Sequence, residues 1–136
     1  MPLKPVGKGP AVVACSSCRH SREAQEGPDG RRGGAQLAQA LRRVKASDPA
    51  YEAVAVEEMP CLFACTEFCT VHIRAPGKIS YVLGRFEPVD EAARAILDYA
   101  RAYAASEIGQ VPFREWPQGV KGHFITRQPP EGFLFE

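Results

Sequence analysis

The sequence predicts an α/β fold of the α+β kind, a mixed sheet with two helices in the order β-α-β-β-β-α. Three observations predict it. Short apolar, β-branched runs recur at "AVVAC", "AVAVEEM", "TVHIRA" and "ISYVLGRF". Two segments, 35–47 and about 88–106, carry apolar residues at helical spacing. A Pro-Gly turn separates the third and fourth strand-like runs, as in an antiparallel hairpin.

Taken in order, "AVVAC" (11–15) reads as a buried strand. "SSCRHSREAQEGPDGRRGG" (16–34) is polar and turn-rich, with Pro28-Asp29-Gly30 and Gly33-Gly34 as breakers. In "AQLAQALRRVKAS" (35–47) Leu37, Leu41 and Val44 mark one helix face, with Arg42, Arg43 and Lys45 in the last turns to suit the helix dipole. Asp48-Pro49 ends it. "YEAVAVEEM" (51–59) alternates like a strand and is closed by Pro60. A strand–helix–strand unit of this kind is parallel and right-handed. "TVHIRA" (70–75), the turn "APGK" with Gly77 placed for positive φ, and "KISYVLGRF" (78–86) make the hairpin. Pro88 suits the first helical position, and Ala92, Ala93, Ile96, Leu97, Ala100 and Tyr103 form the second helix's buried stripe. The tail beyond Gly109 is rich in Pro, Gly and aromatics and is expected to pack irregularly. This plan is thioredoxin-like, a single domain over 1–136 with its core at about 10–106 and its tail at 107–136.

The chain carries 17 basic and 16 acidic residues, a formal charge of +1, without the basic excess of a nucleic-acid binder. No run approaches the roughly 18 apolar residues of a membrane helix. The first apolar run ends in a CxxC and is too short for the core of a signal peptide, so the expected location is cytoplasmic. Close cysteines in a reducing compartment point to metal or redox chemistry more often than to structural disulfides.

There are five cysteines: Cys15 and Cys18 in "VVACSSC", and Cys61, Cys65 and Cys69 in "MPCLFACTEFC". Each group follows a predicted strand. If those strands are parallel neighbours, both groups leave the sheet at one edge and become one site. Four thiolates suit zinc or a [2Fe–2S] cluster, and count alone does not choose between them. A third option is a dithiol oxidoreductase using Cys15 and Cys18. That chemistry wants a helix N-terminus beside the thiols, and the helical pattern begins only near residue 34.

The segments "AVVACSSCR", "MPCLFACTEFCTVHIRAPGKISYVLGRF" and "ARAYAASEIGQVPFREWP" resemble a bacterial family of predicted metal-binding proteins, domain of unknown function 1636. That family is in turn similar to the thioredoxin-like [2Fe–2S] ferredoxins. The resemblance implies Cys15, Cys18, Cys61 and Cys65 as cluster ligands. Cys69 stands where those ferredoxins commonly have a proline and is the extra thiol, the alternative ligand. The first pair here is C-x2-C, tighter than in the ferredoxins. The resemblance also implies electron transfer or redox sensing with a partner protein, an association with cobalamin biosynthesis, and a homodimer among the expected states. The alternative cofactor is Zn2+, with cobalt delivery as a related reading.

His20 and His72 flank the cysteine groups, and a histidine ligand would raise the potential of a cluster. Arg19 and Arg74 are expected next to the proposed site, where cations would favour a reduced centre. "GPDGRRGG" lacks a phosphate-loop pattern, and His123 is assigned nothing. No Ser-His-Asp or paired-carboxylate arrangement stands out. The sequence reads as an electron carrier or metal-binding protein rather than an enzyme, with no nucleic-acid or membrane partner.

Overall fold

The structure is a computed structural model that describes residues 3–21, 23–28 and 30–136; the side chain of Cys65 and residue Asp29 of the predicted breaker lie outside the described residues. Its elements are β1 (Ala11–Cys15), α1 (Gly33–Ser47), β2 (Ala55–Met59), β3 (Val71–Arg74), β4 (Ser80–Leu83), α2 (Asp90–Ala105) and β5 (Phe124–Gln128). The five strands form one sheet in the order β2-β1-β3-β4-β5. β1 and β2 are parallel, and every other pairing is antiparallel.

Both helices pack on one face of the sheet. Leu37, Leu41 and Val44 of α1 meet Ile96, Leu97 and Tyr103 of α2 over Val12, Ala14, Val71, Ile73 and Leu83. Alternation along β1 turns Val13 and Cys15 toward the other face. There Glu57 of β2 and His72 of β3 flank Val13. Arg74 Nη2 donates to Glu57 Oε1 at 2.6 Å, joining the two strands that sandwich β1. All five residues of β1 are buried, which its continuous apolar run requires.

The Pro-Gly turn is as expected. Lys78 N–H donates to Ala75 O at 3.2 Å, and Gly77 holds φ 73°, open to glycine at no steric cost. The elements differ in extent, with β3 and β4 shorter than the runs 70–75 and 78–86. α1 begins at Gly33, so the two glycines read as breakers are its first turn. β2 begins at Ala55, because Pro49–Tyr51 form a 3-10 turn capped by the Asp48 carboxylate, which accepts from Ala50 N–H at 2.9 Å. α2 begins at Asp90 with Val89 as its extended cap, so Pro88 precedes the helix instead of opening it. The tail contributes β5, which pairs with β4 through Tyr81↔Arg127 and Val82↔Thr126. Its β-branched "FIT" is surrounded by proline and glycine, which hid the strand signal. Arg42 and Arg43 serve packing more than the helix dipole: Arg42 pairs with Glu58 on β2, and Arg43 with Asp90 at the start of α2.

The start of α1 lies against the chain that follows β1. A Cβ at Gly34 would stand 1.7 Å from Cys15 O, and one at Gly33 would stand 2.5 Å from Arg19 O. Both obstacles are backbone, which cannot rotate aside. Gly34→Ala is therefore expected to destabilise the metal-free protein by about 1–3 kcal/mol or more in chemical denaturation. Gly7→Ala, with nothing within 4 Å, should leave the midpoint unchanged.

Candidate metal centre

Parallel pairing places Cys15, the last residue of β1, opposite Met59, the last residue of β2. Both cysteine segments thus leave the sheet at one edge, and the residues between Cys15 and Cys18 tie them together. Ser16 N–H donates to Met59 O at 2.9 Å and Ser16 Oγ to the same oxygen at 3.2 Å. Ser17 Oγ donates to Pro60 O. The chain then turns back, with Cys18 N–H donating to Cys15 O at 3.2 Å.

The second segment is an irregular loop with a 3-10 turn at Cys65–Glu67. Phe63 and Cys69 adopt φ 59° and 45°, the left-handed region that non-glycine residues occupy only when surroundings impose it. At Phe63 the consequence is chemical: its N–H donates to Cys61 Sγ at 3.2 Å. Its ring is left 96% exposed at the loop tip.

A residue that sequence reasoning missed holds this loop. Arg85, at φ 65°, directs its backbone N–H to Glu67 O and Phe68 O at 2.7 and 2.8 Å. Its guanidinium donates to Glu67 Oε2 at 2.7 Å and to Gly122 O at 2.6 Å. The neighbouring Gly84 admits this approach, since a Cβ there would meet Glu67 O at 2.8 Å. The Gly-Arg pair in "LGRF" was the available signal.

Cys15, Cys18 and Cys69 are buried and Cys61 is half-buried; none of the four is in a disulfide. The thiol of Cys18 hydrogen-bonds the sulfur of Cys15 and is the main reason the Cys15 pKa falls to about 5, against the opposing effect of burial and with help from Leu62 N–H and Ser17. The same hydrogen bond, and then burial, push Cys18 up. Burial, and then the charge of Cys15, push Cys69 to about 12. Cys69 Sγ points at the carbonyls of Arg19 and His20, at 3.4 and 3.8 Å.

The other sequence candidates separate. Gly34 N–H donates to Cys18 O at 3.2 Å, so the N-terminus of α1 does stand beside the Cys15–Cys18 turn. The expectation that no helix end lies there is corrected, because the chain between β1 and α1 folds back toward the strand end; Glu26 and Arg32 bridge in that loop. Arg74 pairs with Ala11 at the opposite end of β1 from Cys15 and is spent on Glu57, so it does not stand next to the cysteines. His72 shares the Cys15 face of the sheet, and burial followed by Arg74's charge keeps its pKa below the ordinary imidazole value. His20 N–H donates to Gln25 O within the loop. His123 stacks on Phe86 at 4.3 Å and its Nδ1 lies 2.8 Å from Gly84 O, a packing role. Among the described residues, no three His, Cys, Asp or Glu side chains converge to hold a metal ion; the Cys65 side chain is not among them.

A mixed sheet with both helices on one face, and two cysteine loops at the edge where parallel strands end, defines a thioredoxin-like α+β protein with a thiol-lined edge. The family model described as "Protein of unknown function (DUF1636)" matches residues 12–130, and the chain belongs to that family. No curated protein matches it. Among solved structures, a thioredoxin-like [2Fe-2S] ferredoxin from Aquifex aeolicus is similar over 94% of this chain and all of that one, at 19% identity and a TM-score of 0.56. A second structure, of the wild-type thioredoxin-like [2Fe-2S] ferredoxin from the same organism, covers 67% of this chain and 87% of that one, at 23% identity and a TM-score of 0.47. The first likeness establishes the fold. Among the described residues no helix is long and apolar enough to cross a membrane.

In metal-free protein, ultraviolet thiolate absorbance should reveal one thiolate titrating at about pH 5, absent in Cys15→Ser, and none from Cys69 until about pH 12. By linkage, Cys15, depressed from 9.0, contributes stability that is complete above pH 9 and lost as pH falls through about 5. Cys18, raised from 9.0, contributes stability present below pH 9 and lost above it. A stability profile that does not rise between pH 5 and 9 would contradict the Cys15 assignment.

Proposed function

We propose that the chain is an electron carrier or redox sensor holding a [2Fe–2S] cluster at the β1/β2 edge through Cys15, Cys18, Cys61 and Cys65. The observation that carries this reading is the stitching of the two cysteine segments by Ser16 and Ser17 onto Met59 and Pro60, which brings sequence-distant thiols to one edge. The surroundings fit thiolates. Phe63 N–H is aimed at Cys61 Sγ, the Thr70 hydroxyl lies 3.0 Å from Cys18 Sγ, and the Cys15 sulfur is already favoured as an anion. A centre held by sulfur needs such donors. Bound there, the cluster supplies reversible one-electron exchange.

The chain's own residues do the rest. Ser16, Ser17 and Arg85 fix the two loops, and β1 buries one side of the site away from water. Cys69 is the non-ligand, its thiol committed to carbonyls beneath the first loop. The exposed Phe63 at the loop tip is the surface on which a redox partner protein would dock. The resemblance to proteins associated with cobalamin biosynthesis suggests the setting for that exchange. The domain is read as one unit over 1–136 and its location as cytoplasmic.

The test is the visible spectrum of protein purified without oxygen, before and after dithionite, with iron, zinc and cobalt assayed. Broad sulfur-to-iron bands that bleach on reduction are expected. A colourless protein with stoichiometric zinc would replace this reading with a zinc site, since zinc is d10 and gives no visible bands. Cys69→Ser should retain full iron content, its hydroxyl donating to the same carbonyls. Serine at Cys15, Cys18, Cys61 or Cys65 should each lose most of it. Iron loss in Cys69→Ser with retention in one of the others would overturn the ligand set.

A further inference from the structure

Thr70 is the one fully buried residue among the described ones whose side chain is neither apolar, aromatic nor a cysteine, at 0% exposure. It follows Cys69 and immediately precedes β3. Its carbonyl accepts the Cys15 N–H at 3.1 Å, and its Oγ1 lies 3.0 Å from Cys18 Sγ. Its methyl packs toward Gly84, where a Cβ would come within 2.9 Å of Cγ2. One residue thus touches both members of the first cysteine pair and the β4 end that clamps the second loop.

A buried hydroxyl is costly unless hydrogen-bonded, and valine has the same shape without that cost. The sulfur of Cys18 is the partner that offsets it here. In metal-free protein either atom can donate. Once Cys18 is a thiolate ligand it has no proton, so only the threonine O–H can donate.

We propose that Thr70 sets the reduction potential of the centre by donating its hydroxyl to Cys18 sulfur. The inference rests on the [2Fe–2S] reading above. One-electron reduction, by dithionite in the experiment, adds negative charge that spreads onto the ligand sulfurs. An O–H donor at 3.0 Å stabilises that added charge more than it stabilises the oxidised form, and so raises the potential. Thr70 is a positioning and tuning residue; it is not a ligand.

The experiment is a spectroelectrochemical titration of wild-type, Thr70→Val and Thr70→Ser proteins. Thr70→Val should be harder to reduce by roughly tenfold in the one-electron equilibrium, which is 59 mV. Thr70→Ser, which keeps the hydroxyl and loses the methyl, should stay close to wild type. An unchanged potential in Thr70→Val overturns the proposal, as does an equal shift in both variants, because serine keeps the hydroxyl and the shift would then not follow the O–H donor. A second measurement separates this inference from the cluster reading. In metal-free protein, Thr70→Val and Cys18→Ala should be non-additive in the unfolding equilibrium by at least about threefold. Additive effects would remove the contact itself and overturn the proposal. A wild-type protein that is colourless, with the two substitutions still coupled, would sink the cluster reading and the tuning role with it while leaving the hydrogen bond intact.

Discussion

The parallel register of β1 on β2 is the constraint from which the site follows. Cys15 faces Met59 across that ladder, and the chain leaves it at Ser16 and Pro60 into the two cysteine loops. A parallel pair cannot be joined by a short turn, so the chain between the strands must cross over through α1. The crossover returns its N-terminus to the same edge, and Gly33 and Gly34 let it seat against the Cys15–His20 backbone at distances no side chain would permit. Register, crossover and close approach are therefore one arrangement. A slip of β2 by one residue would move Met59 away from Ser16 and turn Glu57 from the open face to the helix face.

Within that arrangement the thiols are unequal. Cys15 and Cys18 share one hydrogen bond between sulfurs, so one of them gives up its proton readily and the other holds on. Cys69 lies deeper and bonds carbonyls instead. Burial alone would keep all of these sulfurs neutral. Ionisation at Cys15 is favoured by donors supplied from three directions: the neighbouring thiol, the backbone of the second loop at Leu62, and the hydroxyls of Ser17 and Thr70. Two of those directions exist only because the second loop and β3 are in place.

Much of this was legible in the sequence. Period-two and helical patterns placed four strands and both helices, and the idea that two strand ends bring the cysteines to one edge holds in the register of Cys15 with Met59. What escaped had physical causes. Gly33 and Gly34 look like breakers because propensity describes an isolated helix, whereas here the missing side chains answer a tertiary contact. β5 escaped because it is an edge strand whose residues are half-buried or exposed, so "FITRQ" carries no apolar period of the kind that marks β1. Arg74 was misplaced because β3 carries it a strand's length away from Cys69, to the Ala11 end of β1. Arg85 escaped because its role depends on a left-handed backbone and on a carbonyl of Gly122, to which the Gly-Arg pair in "LGRF" was the one local pointer. The Cys69 thiol, read as the extra one, is turned to carbonyls.

The unequal burial of the sulfurs also decides how the protein meets damage. Oxidation and alkylation of cysteine follow both thiolate character and access. Cys15 has the character without the access, at 1% exposure, while Cys61 is half-open at the rim. In the metal-free chain an electrophile arriving from solvent encounters Cys61 first among the described thiols, and the more reactive anion behind it is shielded by the packing of β1. Among the described thiols the sheet edge thus separates reactivity from vulnerability.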